Sequence, residues 1–242
     1  MQKTVIIIPA RYSSTRLKGK LLMEVNSKPI IQWVYEAAKK SALADDVIIA
    51  TDSELILNKA QEFGAKAEMT SSEHKSGSDR ICEVAKRHTE YDYILNMQGD
   101  EPQITPEVID LAIKTLIEGN CDISTLVREI TDPEQINDPN CVKCVFDNDF
   151  RALYFSRCPI PYPRNPEYAK YYAHIGIYGY KRESLIKMTT LGQSDIEKAE
   201  SLEQLRALKN GMTIKVALTK LNPIGIDTQR DLDKFKSLFN SK

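Results

Sequence analysis

The segment Thr4–Ile8, TVIII, is an uninterrupted β-branched run. Such a run reads as a strand buried on both faces, the kind found in a parallel sheet covered by helices on either side. Val47–Ala50 repeats the pattern and ends in Thr51-Asp52, Ala65–Met69 is a third candidate, and Tyr93–Met97 is a fourth that runs into Gln98-Gly99-Asp100. Apolar residues at helical spacing fill the intervals. Ile30, Trp33, Val34, Ala37 and Ala38 form one set. Leu55, Leu57 and Ala60 form another, starting near Ser53 with Gly64 as its stop, and Ile81, Val84 and Ala85 follow Ser78. Thr105-Pro106 pairs an N-cap with a proline at the first helical position, and Gly119 ends that helix. Strand and helix in alternation predict an α/β fold, an open, mostly parallel, doubly wound sheet of Rossmann-like type.

The second half reads differently. Ile123–Val127, Val142–Phe146, Ala152–Phe155, Ile175–Tyr180 and Thr213–Leu218 are predicted strands. A helix is predicted over Ile196–Asn210, with Leu202, Leu205 and Leu208 on one side, and a last one over Thr228–Phe239. Residues 150–180 hold nine of the eighteen aromatics and four of the eleven prolines. Their bases are Arg151, Arg157, Arg164, Lys170 and His174, against one acid, Glu167. The expectation is one domain over residues 1–242 with a β-rich insertion at about 150–180. The plainer account is a Tyr/Pro-rich loop packed on the core.

Composition narrows the function. With 33 basic and 34 acidic residues the net charge is -1, which argues against a general nucleic-acid binder. No apolar run approaches the roughly 18 residues of a membrane span. Val5–Ile8 is too short for a signal-peptide core. Five scattered cysteines, an odd count, fit reduced thiols in a cytoplasm. Cys141-Val142-Lys143-Cys144 suggests a metal or redox pair. In a strand, however, residues i and i+3 face opposite ways, and no second CxxC exists.

The loop after the first strand, Pro9 to Lys20, leaves the carboxyl end of a central strand, where ligands bind in open α/β sheets. The first 23 residues carry five bases (Lys3, Arg11, Arg16, Lys18, Lys20) and no acid. That suits a polyanion such as a triphosphate. The loop is neither GxGxxG nor Walker A, which disfavours dinucleotide binding and P-loop hydrolysis. Gln98-Gly99-Asp100-Glu101-Pro102 follows a strand and could present a carboxylate to Mg²⁺, or be a turn before a helix. Ile226-Asp227-Thr228 has the same ambiguity. His74–Arg80 reads as a turn and helix start whose amides and Arg80 could grip a phosphate or nucleoside. His88 reads as a helix-end residue with no special role. Glu200 and Gln204, one turn apart and opposite the leucines, read from pattern alone as a solvated face.

Taken together, IIIPARYSSTRLKGK, IIATDS, HKSGSDR, LNMQGDEP, ALYFSRCPIPY, AHIGIYGYKRESL, ESLEQLRALKNG and IGIDTQRDL resemble the 3-deoxy-D-manno-octulosonate (Kdo) cytidylyltransferases, the CMP-Kdo synthetases. The blocks come in that family's order and cover essentially the whole chain. Lys18 stands where the family commonly has proline in RLPGK. The resemblance implies a nucleotidyltransferase-like fold and a reaction of CTP with Kdo to give CMP-Kdo and pyrophosphate, for bacterial cell-surface polysaccharide. It implies Ala10, Arg11, Arg16, Lys20, Ser76, Arg80 and Gln98 as nucleotide contacts, with Arg16 and Lys20 on the triphosphate. It further implies Asp100 and Asp227 as Mg²⁺ ligands, and Arg157, His174, Tyr178, Glu200, Glu203 and Gln204 as sugar contacts. Lys20, Arg16, Asp100 and Asp227 would carry catalysis, in a cytoplasmic homodimer needing neither nucleic acid nor membrane. The alternatives are a related acid sugar, 8-amino-Kdo or a sialic-type sugar, or a non-catalytic nucleotide-binding regulator. The presence of Lys20, Asp100 and Asp227 argues against the last.

Overall fold

The computed structural model describes residues 2–13 and 17–240. In chain order the elements begin with β1 (Thr4–Ala10), β2 (Glu24–Val25), β3 (Lys28–Pro29), α1 (Ile30–Ala38), β4 (Asp46–Thr51) and α2 (Glu54–Glu62). They continue with β5 (Lys66–Met69), α3 (Gly77–Arg87), β6 (Tyr93–Asn96), α4 (Pro106–Glu118), β7 (Ile123–Ile130) and α5 (Pro133–Asn137). Next come β8 (Lys143–Phe146), β9 (Ala152–Ser156), β10 (Tyr171–Lys181), α6 (Arg182–Thr190), α7 (Asp195–Glu200), α8 (Gln204–Lys209), β11 (Ile214–Leu218) and α9 (Gln229–Asn240). The chain resolves into two compact units, residues 1–110 with 223–242, and residues 111–222.

In the first unit β6, β1, β4 and β5 lie side by side, all parallel. Every residue of β1 is buried, as its unbroken apolar run requires. Helix α3 packs on β1, β4 and β6, α1 on β1 and β4, and α2 on β4 and β5. The order of strands reverses at β1: β4 and β5 extend to one side of it and β6 to the other. The loops after β1 and β6 therefore leave neighbouring carboxyl ends at a topological switch point, where open α/β sheets bind ligands. Trp33 on α1 packs against Phe235 and Phe239, with ring centroids 6.0 and 4.8 Å away, so α9 returns the chain to this unit.

The second unit is mostly antiparallel. β7 pairs parallel with β11 and antiparallel with β10, and β8 pairs antiparallel with β10 and with β9. The pairing of β10 with β7 shifts register between Ile175 and Tyr178. Thr125 occupies this bulge, its hydroxyl 3.1 Å from the Ile175 carbonyl and 2.8 Å from that of Ile177. Bulges of this kind re-aim side chains, here His174 and Tyr178.

Two expectations need correction. The predicted helix over Ile196–Asn210 is two helices, α7 and α8, because Ser201 adopts a left-handed backbone (φ 51°) and ends the first. One helical wheel therefore does not span Glu200 and Gln204, and the solvated-face reading fails: Gln204 is buried and Glu200 half-buried. Cys141 lies ahead of β8 rather than within a strand, while Cys144 is buried inside it. The periodicity also gave no sign of α6, or of the β2–β3 hairpin inside the long loop after β1.

Candidate active site

The first unit carries a cavity of about 410 Å³ at the switch point. Pro9, Arg11 and Ser13 from the loop after β1 line it, with Lys20, Leu21, Lys75, Ser76, Gly77, Gln98, Gly99, Asp100 and Asp227. Two glycines shape it. Gly19 has φ +68°, and its amide donates to the Tyr12 carbonyl at 3.1 Å, closing the basic loop just before the 3₁₀ turn Lys20–Leu22. An L side chain there would be strained and would meet the Tyr12 ring at 3.3 Å. At Gly99 a Cβ would lie 3.1 Å from the Pro9 carbonyl, so only glycine lets the loop after β6 lie this close to β1.

The polar centre is a three-membered cluster. Lys20 Nζ donates to Asp227 Oδ1 at 2.8 Å and also to Asp100 Oδ2. Asp227 is 127 residues from Asp100, and the Ile226 amide donating to the Asp100 carbonyl at 2.8 Å clips the two segments together. Lys20 is only 8% exposed. Burial pulls its pKa down, but the charges and hydrogen bonds of Asp100 and Asp227 outweigh that and raise it, so it is an ammonium near neutral pH. Next to them Glu101 is half-buried, and its Oε2, itself buried, has no hydrogen-bond partner among the described residues. Burial first, and the Asp100 and Asp227 charges second, push its carboxyl up to about 8. Glu101 is thus a neutral acid near pH 7, a feature that QGDEP does not advertise.

Ser76 caps α3. Its hydroxyl accepts from the Asp79 amide at 3.1 Å, and the Asp79 carboxylate accepts from the Ser76 amide at 3.2 Å. Gln98 donates to Asn96 Oδ1 at 3.3 Å. Arg11 Nη2 is buried with no hydrogen-bond partner among the described residues. Arg80 does not line the cavity. It is wholly buried, bonded to Asp52 at 2.6 Å and to Thr70 at 2.5 Å, and so holds Asp52 at the end of β4. Ala10 closes β1, buried, and Arg16 lies outside the described residues. His88 caps the carboxyl end of α3 and bonds Glu68 and Glu90.

The residues that the resemblance assigns to the sugar lie in the second unit. Arg157 is held by backbone: its Nε donates to the Glu200 carbonyl at 2.6 Å, Nη1 to Pro139 at 2.9 Å, and Nη2 to Ser201 at 3.3 Å. The Glu200 carboxylate accepts from Ser156 Oγ at 2.7 Å and from the Arg157 amide at 2.9 Å. Lys143, fully buried in β8, donates to the carbonyls of Asp138 and Arg157. Nothing in Cys141-Val142-Lys143-Cys144 signals a buried lysine, because a lone Lys in a short strand has the pattern of a solvated residue. His174 Nε2 is 2.9 Å from Thr125 Oγ1. The Thr125 hydroxyl thus lies within hydrogen-bond distance of the ring and of two carbonyls. Burial lowers its pKa to about 4, so the ring is neutral. The His174 and Tyr178 rings lie 5.2 Å apart. Gln204 Nε2 is buried without a hydrogen-bond partner among the described residues. Glu203 approaches Arg206 at 4.0 Å, and Arg206 also makes a buried pair with Glu197 at 2.6 Å.

The chain matches the family model described as cytidylyltransferase over residues 5–214. It is 49% identical to a 3-deoxy-manno-octulosonate cytidylyltransferase of Fusobacterium nucleatum, covering 94% of this chain and 93% of that one. A protein of the same name from Thermodesulfovibrio yellowstonii is 45% identical over 98% of both chains. Among solved structures, a CMP:2-keto-3-deoxy-manno-octonic acid synthetase complexed with CTP superposes with a TM-score of 0.95, at 42% identity over 99% of both chains. No described helix is long and apolar enough to cross a membrane.

Proposed function

From the premise that the chain belongs to the 3-deoxy-manno-octulosonate cytidylyltransferase family, we propose that it converts CTP and Kdo to CMP-Kdo and pyrophosphate. The anomeric hydroxyl of Kdo attacks the α-phosphorus in line. The bond from that phosphorus to the α,β-bridging oxygen breaks, the hydroxyl proton leaves to solvent, and pyrophosphate departs. Such transfers depend on positioning and on neutralising phosphate charge.

The observation that carries this reading is the switch-point cavity, where Lys20 lies between Asp100 and Asp227 while Arg11 keeps a buried nitrogen with no hydrogen-bond partner among the described residues. Arg11, Arg16 and Lys20 neutralise the triphosphate. Ala10, Ser76 and Gln98 hold the nucleoside, with Arg80 acting from behind through Asp52. Arg157, His174, Tyr178, Glu200, Glu203 and Gln204 are assigned to the sugar acid, and a neutral His174 ring offers one acceptor nitrogen and one N–H.

The family implies a divalent cation, and the residues fit one. Asp100 and Asp227 already converge on a single positive charge, the Lys20 ammonium, which stands in for it. Among the described residues no group of three His, Cys, Asp or Glu could hold a metal. A two-carboxylate set suits Mg²⁺, which completes its shell with water and phosphate oxygens. Bound there, Mg²⁺ would neutralise phosphate charge and acidify a coordinated hydroxyl.

CTP as substrate points to the cytoplasm, and an activated sugar acid of this kind serves surface polysaccharide. A homodimer joined through residues 150–180 is the assembly we propose. Tyr162 and Tyr168 there are 82% and 77% exposed, and aromatics are enriched at interfaces. Light scattering should then report about twice the 27.4 kDa chain mass, and a monomer mass would refute the dimer. The activity is tested by pyrophosphate release with CTP, Mg²⁺ and a panel of Kdo, 8-amino-Kdo and sialic acid. Kdo should be fastest. No release with any sugar would end the proposal, and a faster reaction with another acid sugar would reassign the substrate.

A further inference from the structure

We propose that Lys20 is the resident cation of the Asp100–Asp227 pair in the nucleotide-free protein, and that it keeps divalent metal out until CTP arrives. The inference rests on the cytidylyltransferase reading for the identity of the nucleotide. It goes beyond that reading in making the metal site one that opens only on nucleotide binding.

The Lys20 ammonium contacts one oxygen of each aspartate, at 2.8 Å for Asp227, and so occupies the space between the two carboxylates. A metal drawing an oxygen from each at about 2.1 Å needs that same space. Ammonium and dication cannot share it, because two positive charges a few ångströms apart in a partly buried site repel strongly. Lys20 is held in this position by charge: it is 8% exposed, and a buried ammonium is stable only with its anionic partners.

What lets it leave is also in the structure. The Lys20 backbone is fixed in a short 3₁₀ turn, braced by the Gly19 amide on the Tyr12 carbonyl, while its charge rides on a flexible four-carbon stem. Arg11, Ser13 and Lys75 line the same cavity, so a triphosphate entering it meets positive charge and offers the ammonium new anionic partners. Lys20 then swings to the phosphates and frees both aspartates for the metal. One side chain thus serves two stages, first as counter-ion of the empty site and then as phosphate ligand. Linkage makes the effect reciprocal: CTP raises metal affinity by the same factor as metal raises CTP affinity.

The test uses the full-length protein without nucleotide and Mn²⁺ as the probe, read by electron paramagnetic resonance of free Mn²⁺. Wild type should bind Mn²⁺ weakly, and Lys20→Met at least about tenfold more tightly, since the competing charge is gone and a linear stem remains. Equal or weaker binding by a folded Lys20→Met, or tight binding by nucleotide-free wild type, would overturn the proposal. A second measurement needs no variant. The ¹⁵Nζ resonance of Lys20 in the wild type should move when CTP is added without metal, and a resonance that stays put while calorimetry shows CTP bound would equally overturn it. No heat of CTP binding at all would instead count against the nucleotide assignment, so the two failures are separable.

Discussion

The two units use charge in opposite ways. In the first, Lys20 bridges Asp100 and Asp227 at a cavity wall, and Arg11 keeps a nitrogen with no hydrogen-bond partner among the described residues. In the second, Arg157 spends its guanidinium on three backbone carbonyls, Lys143 spends its ammonium on two more, and Arg206 is locked to Glu197. A parallel sheet brings strand ends and their loops to one edge, so its functional groups can be few and exchangeable. The irregular antiparallel region has turns such as 138–141, 157–158 and 200–201 whose carbonyls no ladder pairs, and the side chains of Arg157 and Lys143 donate to them instead.

If that contrast is right, cutting charges in the second unit should cost stability first, and in the first unit activity first. The largest effect expected is from Glu197→Ala. It removes the carboxylate that takes two bonds from the buried Arg206 guanidinium, and breaking such a pair costs about 3–5 kcal/mol. Urea unfolding should show the midpoint falling accordingly, and a loss below about 1 kcal/mol would break the comparison. Next is Lys20→Ala, which should lower kcat/KM by about 2–4 kcal/mol of transition-state stabilisation while the unfolding midpoint hardly moves. Wild-type kcat/KM in this variant would remove the cavity from catalysis.

Third comes acid sensitivity in the second unit. His174 stays neutral down to about pH 4 when folded, whereas an unfolded histidine takes its proton near 6.5. Between these values the unfolded chain binds more protons, so stability is full above 6.5 and falls as pH drops towards 4. The loss is about 2–3 kcal/mol by the end of that window. His174→Gln should flatten that part of the pH–stability curve relative to wild type, and parallel curves would show that His174 is not buried neutral. A smaller effect, about 1 kcal/mol, is expected from Ser76→Ala, which removes the α3 cap, measured as the shift in unfolding midpoint. The smallest is Cys141→Ser with Cys144→Ser, which should leave activity and metal content unchanged. Loss of a stoichiometric zinc would contradict that.

What the residues alone could show differs between the units for the same reason. Continuous apolar runs such as TVIII specify buried parallel strands locally, and strand–helix alternation then implies a sheet whose carboxyl ends carry the site. That is why the loops holding Arg11, Lys20 and Asp100 could be picked out one by one. The segment 196–210 shows where this reasoning stops. Its leucines satisfy a helical pattern, but pattern cannot register that Ser201 takes a left-handed backbone, and so it misplaces Glu200 and Gln204.

Sequence by itself determined the strand–helix alternation, the β1 core and the family, because each rests on local pattern or on blocks of matching residues. The tertiary structure brings together Asp100 and Asp227, the pair that the family blocks imply, and it alone decided that Lys20 lies between them, that burial pushes the Glu101 carboxyl up to about 8, and that Arg80 bonds Asp52. Those facts depend on distances across 28 to 207 residues of chain and on which groups lose their water. Neither property belongs to any short stretch of sequence. Both arise when the sheet closes and the chain returns through Ile226 to bond the carbonyl of Asp100.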